Sequence, residues 1–195
     1  MQASVKAGKV TTLDSVNTIA DGTAVKTPGT TIFPYISQNL DDIITVEDEE
    51  LVVAFLDMVE NHKMVVENSG LLTVAALKHL NVKNKKVVSI LSGGNMDVIT
   101  MSSVVQQGLV LRDRIFSVSV LLPDKPGELS RVSDVIAKQS GNVIKLEHNQ
   151  FVSINRNAAV ELRITMEAYG TEHKNQIIQA LEESGYKPKV VRASV

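Results

Sequence analysis

Ser92, Gly93, Gly94 and Asn95 stand together directly after the β-type run at residues 86–91 and ahead of a helix-like segment. Two consecutive glycines at the mouth of a strand remove the Cβ atoms that would hold a flat ligand away from the backbone. The serine hydroxyl before them can donate to such a ligand or accept from it. Standing alone, the motif suits a ligand-binding turn and an ordinary strand-to-helix turn equally well. A second stretch, Pro123-Asp124-Lys125-Pro126-Gly127-Glu128-Leu129, sets a fixed turn at Pro126 and bare backbone at Gly127 against a helix N-terminus. Free N–H groups there attract a carboxylate. An α-amino acid brings a carboxylate and an ammonium, and Asp124 or Glu128 is placed to hold the ammonium end. The plainer reading of this loop is a strand-to-helix connection with no ligand.

Other polar residues point to less. His62, His79, His148 and His173 show no metal-ligand spacing and read as solvated side chains. Asp41-Asp42 and the run from Glu47 to Glu50 fit a solvated helix start better than a cation site. Asp21 and Gly22 fit a turn better than chemistry.

The elements that must position these residues follow from the chain's composition and periodicity. The 195 residues are 44% hydrophobic and 22% charged, enough for a sizeable core and for two domains. Twenty basic against 22 acidic side chains, with no basic stripe and no aromatic ladder, gives no footprint for nucleic acid. No apolar run approaches the roughly 18 residues of a membrane span, and no signal-peptide pattern opens the chain. Cysteine is absent, which excludes disulfides and a thiol nucleophile. The default expectation is a cytoplasmic protein.

Residues 1–112 alternate helical patterns with short apolar runs. Residues 1–8 read as a short helix stopped by Gly8. Residues 42–46 and 86–91 read as strands, and Thr45 as the cap of an acidic first turn. Leu51, Phe55, Met58 and Val59 share one helical face, and residues 71–80 read as a buried helix opened by Gly70. The βαβα order implies α/β layers around a parallel sheet. From residue 113 the pattern changes. Strands at 115–122, 142–151, 158–168 and 188–191 and helices at 127–140 and 171–184 give the order βαββαβ, a ferredoxin-like α+β sandwich. Within 158–168, Val160, Leu162, Ile164 and Met166 alternate with Glu161, Arg163, Thr165 and Glu167, describing a sheet with one wet face. The expected domains are therefore 1–112 and 113–195.

The front half resembles the C-terminal part of the catalytic domain of threonine ammonia-lyases (threonine dehydratases), pyridoxal-phosphate enzymes of the tryptophan-synthase-β-like, fold-type II group. Three segments in the family's order carry the resemblance: Thr18-Ile19-Ala20-Asp21-Gly22 with Ala24-Val25-Lys26, then Val66-Glu67-Asn68-Ser69-Gly70, then Leu91-Ser92-Gly93-Gly94-Asn95. The back half resembles an ACT domain, the amino-acid-sensing module that such lyases often carry. The resemblance implies that Ser92 bonds the pyridine nitrogen of pyridoxal 5'-phosphate, that Gly93 and Gly94 let the backbone lie beside the ring, and that Glu67 faces its edge. A carboxylate in Glu67's position also serves simply to complement a helix dipole.

A hydroxyl is a weak acid, so the ring nitrogen would stay largely unprotonated, favouring prompt loss of the substrate's β-hydroxyl. Threonine would go to 2-oxobutanoate and ammonia. The ACT resemblance implies that residues 124–129 of one subunit meet Asn142-Val143 of a partner, coupling an amino-acid effector to homo-oligomer assembly. The family's Schiff-base lysine stands in a Ser-x-Lys-x-Arg-Gly-Ala-like segment, and its cofactor phosphate sits on a four-glycine loop. Neither occurs in these residues, and Ser4-Val5-Lys6-Ala7-Gly8 lacks the arginine. The expectation is a C-terminal portion, inactive alone, that works with an N-terminal catalytic portion. The alternatives are a non-enzymatic amino-acid sensor and a serine dehydratase or racemase relative.

Overall fold

A computed structural model describes residues 1–149 and 160–193. The chain divides into two compact units, Met1–Gly108 and Leu109–Val195.

The first unit is built from helices and turns. Helix α1 (Gln2–Ala7) stops at Gly8, whose φ of 66° is the left-handed conformation that ends a helix without a Cβ clash. Helix α2 (Phe33–Asn39) starts with a proline in its first turn. In α3 (Asp48–Asp57) the residue before the helix is Glu47, not Thr45, and its N–H donates to the Glu50 carboxylate at 2.9 Å. Leu51 and Phe55 from α3, with Met58 just beyond it, meet Ala20, Val66, Leu71, Ala75 and Val104 in one buried cluster. Val104 comes from the next long helix, α5 (Val98–Leu111), whose first turn is capped by Asp97 through the N–H groups of Ile99 and Thr100.

Besides the cap at Thr45, two expectations for this unit fail. Residues 42–46 and 86–91 form no strand, and among the described residues no parallel sheet exists. A parallel strand takes every ladder hydrogen bond from its neighbours, and none lies beside these segments here. Residues 71–80 are also not one buried helix. A 3₁₀ turn (Asn68–Leu71) leads into the single α-turn α4 (Leu72–Ala75) and a second 3₁₀ turn (Ala76–His79). Leu71 and Ala75 are buried, but Leu80 is exposed.

The second unit has the order β1 (Ile115–Leu122), α6 (Glu128–Lys138), β2 (Asn142–Asn149), β3 (Val160–Glu167), α7 (Thr171–Glu183), β4 (Lys189–Val191). The strands form one antiparallel sheet in the order β2-β3-β1-β4. The remainder of the strands expected at 142–151 and 158–168, residues 150–151 and 158–159, lies outside the described residues.

Alternation sorts the two faces. Phe116, Val118, Val120 and Leu122 of β1 and Leu162, Ile164 and Met166 of β3 bury themselves under Val132 and Ile136 of α6 and Ile177 and Leu181 of α7. On the other face Ser117 and Thr165 are buried and hydrogen-bond each other at 2.7 Å, as an enclosed hydroxyl pair must. Edge strand β2 carries a bulge. Val143 pairs with Met166, but Leu146 pairs with Ile164 and Lys145 with Thr165, so one extra residue lies between Val143 and Lys145.

Asp113 ties the start of this unit to the start of α7. Its Oδ1 accepts from Lys174 Nζ and its Oδ2 from the Thr171 hydroxyl, both at 2.7 Å. Partial burial pushes its pKa up, but the hydrogen bonds from Lys174 and Thr171 outweigh that and hold the carboxyl below its ordinary value. A depressed carboxyl stabilises the fold above its unfolded-state pKa and loses that contribution as the pH falls through the folded-state value. Asp113→Asn should therefore lower stability at neutral pH by about 1 kcal/mol. Asparagine tolerates the local φ of 53°. Denaturant titrations should show the gap between parent and variant closing as the solution is acidified below the carboxylate range.

Candidate functional site

Three segments far apart in sequence close on one another in the first unit. Gly70, at the end of the 67–70 turn, lies so near Ser92 that a Cβ on it would overlap the Ser92 carbonyl oxygen. Glu67 donates its N–H to the Gly93 carbonyl at 3.3 Å, and its Oε2 accepts the N–H of Asn95 at 3.1 Å. A Cβ on Gly93 would overlap the Glu67 carboxylate. Gly22 brings in the third segment: a Cβ there would stand 2.9 Å from Ser69 Oγ and 3.8 Å from Glu67 Oε1.

Polar side chains fix this arrangement from behind. Asn68 donates through Nδ2 to the Ile19 carbonyl at 3.0 Å. The Asp48 carboxylate, in the first turn of α3, accepts the Thr18 hydroxyl at 2.5 Å and the Ile19 N–H at 3.1 Å. Thr73 donates to the Ile90 carbonyl at 2.9 Å, holding the segment that leads into Ser92. The acidic run at 47–50 is thus not a merely solvated helix start. Asp48 binds the 18–22 segment, and Glu50 meets His79 at 3.0 Å, whose hydrogen bond holds the Glu50 carboxyl below its ordinary pKa.

Ser92 itself is exposed, and so is Gly94, where the nearest atom to an added Cβ is the Val65 carbonyl oxygen at 3.9 Å. A hydroxyl therefore stands beside bare backbone that opens outward. Asn68 Oδ1 and Ser69 Oγ are buried without a hydrogen-bond partner among the described residues. Such groups are rare and costly in folded proteins.

The loop after β1 forms a separate open cleft of about 320 Å³, lined by Asp124, Pro126, Gly127, Glu128, Leu129 and His148 among others. Gly127 takes a φ of 92° that a side chain would resist. The Glu128 carboxylate is already bonded to Arg131 at 2.8 Å, leaving Asp124 as the acid of the loop without that tie. Asn142 and Val143 do not join this cleft. They pair with Glu167 and Met166, opposite the start of β1, whereas the cleft lies at its end. That separates them by roughly 23 Å of strand within one chain.

Sequence reasoning gave no role to Asp48, to His148 or to Asn68, although Asn68 stands inside the 66–70 motif, because their partners lie far away in the chain or across a cleft. It also misread His173, whose Nδ1 accepts the Tyr169 N–H at 3.0 Å and whose Nε2 meets the Gln139 carbonyl at 2.6 Å. No group of side chains among the described residues is arranged to hold a metal ion, and no described helix is long and apolar enough to cross a membrane.

The overlap at Gly70 yields a direct test. Gly70→Ala must push the 67–70 turn off the Ser92 carbonyl, at a cost of about 1–3 kcal/mol. Thermal unfolding of the chain should show the first unit melting early while the far-ultraviolet signal of the β-sheet unit persists.

Residues 1–93 match the family model described as pyridoxal-phosphate dependent enzyme. An L-threonine ammonia-lyase of Geobacter sulfurreducens is 36% identical over 97% of this chain and 48% of its own length. One of Thermotoga maritima is 32% identical over 98% of this chain and 48% of its own. The chain thus spans about half the length of these curated relatives. Among solved structures, the processed form of threonine deaminase isoform 2 from Solanum lycopersicum superposes with a TM-score of 0.51 at 27% identity, covering 54% of this chain and 32% of that one.

The family's cofactor is pyridoxal phosphate, and the residues present fit one side of it. An exposed hydroxyl at Ser92 adjoins exposed backbone at Gly94, where the place of a Cβ is open but for the Val65 carbonyl oxygen at 3.9 Å. The clasp of three glycine-bearing segments is accordingly found in a chain whose residues 1–93 match the model of the pyridoxal-phosphate dependent enzymes, and which over nearly its whole length is similar to about half the length of the L-threonine ammonia-lyases named above.

Proposed function

We propose that this chain forms the C-terminal portion of a pyridoxal-phosphate-dependent threonine ammonia-lyase, joined to an ACT domain that senses an amino acid. The observation that carries the lyase reading is the convergence of the 18–22, 67–70 and 92–95 segments around an exposed Ser92. The cofactor, when bound, supplies the electron sink for bond breaking at the substrate's α-carbon. Ser92 would offer a neutral hydroxyl to the pyridine nitrogen and so leave that nitrogen without a proton. Gly94 would let the backbone lie against the ring. The overall reaction takes threonine to 2-oxobutanoate and ammonia. The lysine that anchors the cofactor belongs to a segment outside these 195 residues.

Two outcomes follow for this reading. The purified chain with pyridoxal phosphate should release no ammonia from threonine and leave no lysine fixed to the cofactor by borohydride. Supplied with the N-terminal portion of a relative, it should turn over threonine, and Ser92→Ala should lower that rate about tenfold while circular dichroism stays unchanged.

For the second unit, the loop 124–129 would hold the effector, with Asp124 facing its ammonium. Asn142 and Val143 lie at the opposite end of the sheet, so they would reach the effector only from a second copy. Edge strand β2 supports such pairing, because it lies at the rim of the described sheet and exposes Val143, Ile144 and Leu146. A sensor without enzymatic activity is the rival reading. It is favoured by the second unit's own core, over which the described sheet and both helices close. Calorimetry with isoleucine, valine, threonine and serine should give heat for at least one of them. Silence from all four would remove the sensing role.

A further inference from the structure

The two glycines at 93 and 94 look equivalent in sequence but stand in different surroundings. A Cβ at Gly93 would overlap the carboxylate carbon and both oxygens of Glu67. At Gly94 the nearest atom would be the Val65 carbonyl oxygen, at ordinary contact distance. Gly93 also has a φ of 79°, whereas Gly94 is not among the residues of positive φ. Glu67 is joined to this turn on both sides, giving its own N–H to the Gly93 carbonyl and receiving the Asn95 N–H on Oε2.

We infer that Glu67 is a positioning residue whose carboxylate lies on the bare α-carbon of Gly93 and holds the Asn95 amide, so that Gly93 lacks a side chain to admit Glu67, whereas at Gly94 the place of a side chain stands open. The two glycines thus divide the work. Gly93 serves the contact with Glu67, and Gly94 serves whatever flat group approaches from outside. This deepens the cofactor reading in one respect only, since the outward role of Gly94 rests on it. The clamp by Glu67 does not. The role asks for an acceptor oxygen at this place and not for a negative charge, which separates it from a carboxylate that acts electrostatically on a ring.

Amide hydrogen exchange, read residue by residue on the full chain without cofactor, tests the assignment. Glu67→Ala should speed exchange of the Asn95 amide about tenfold or more, and Gly93→Ala should do the same by displacing the carboxylate. Glu67→Gln keeps an acceptor oxygen and should stay within about threefold of the parent. Gly94→Ala should also stay within that range. An Asn95 amide that ignores Glu67→Ala would overturn the clamp. A Gln variant as fast as the Ala variant would overturn the requirement for an acceptor rather than a charge. Equal acceleration by Gly93→Ala and Gly94→Ala would overturn the division between the glycines. Should Glu67→Ala unfold the first unit, comparison of Glu67→Gln with Glu67→Asp, which withdraws the carboxylate by one methylene, decides the same point. No arm uses cofactor or turnover, so loss of the lyase reading would leave these outcomes unaltered.

Discussion

The first unit depends on a contact made possible by something missing. The α-carbon of Gly70 rests against the carbonyl oxygen of Ser92, at a separation no residue with a side chain could reach. That approach places the 67–70 turn under the 92–95 turn. It brings Glu67 within reach of Asn95, and it lets Gly22 close from a third direction on Ser69. Hydrophobic burial of Leu71 and Val66 on either side of the turn supplies the driving force, while the glycines supply the space. The second unit is organised differently. Its order comes from strand alternation and a continuous apolar layer under two helices, and any one close contact matters less there.

The sequence was legible wherever the information is local. The alternation of Val160, Leu162, Ile164 and Met166 with polar neighbours declares a two-faced strand, and the structure buries the apolar four. Gly8 and the helix ends near residues 138 and 183 are likewise set by short-range rules. The order of the three glycine-bearing segments was also readable, though not their meeting point, because contacts over 22 to 49 positions leave no periodic trace.

What failed is physical in origin. Residues 42–46 and 86–91 have the composition of interior strands, but composition cannot supply the neighbours from which a parallel ladder draws its hydrogen bonds. Asp48 and Glu50 looked like solvated charges because a helix start rich in acids satisfies the dipole by itself. Nothing in that run signals that Asp48 turns to Thr18 and Ile19. His173 was similarly opaque, since its partners are a backbone amide and a backbone carbonyl from two other segments.

The bulge in β2 carries a consequence for how that strand tolerates change. Val143 and Leu146 share the helix-facing side although three positions separate them, and Lys145 and Glu147 share the other. Read with unbroken alternation, the same residues would turn Lys145 toward the apolar layer. Ile144 is therefore a spacer that resets parity, and its omission would rotate everything downstream of it, or everything upstream, by half a turn. Natural variation in length at this point should be confined to changes that conserve the count, whereas replacement of Ile144 by another residue costs the strand little of its facing.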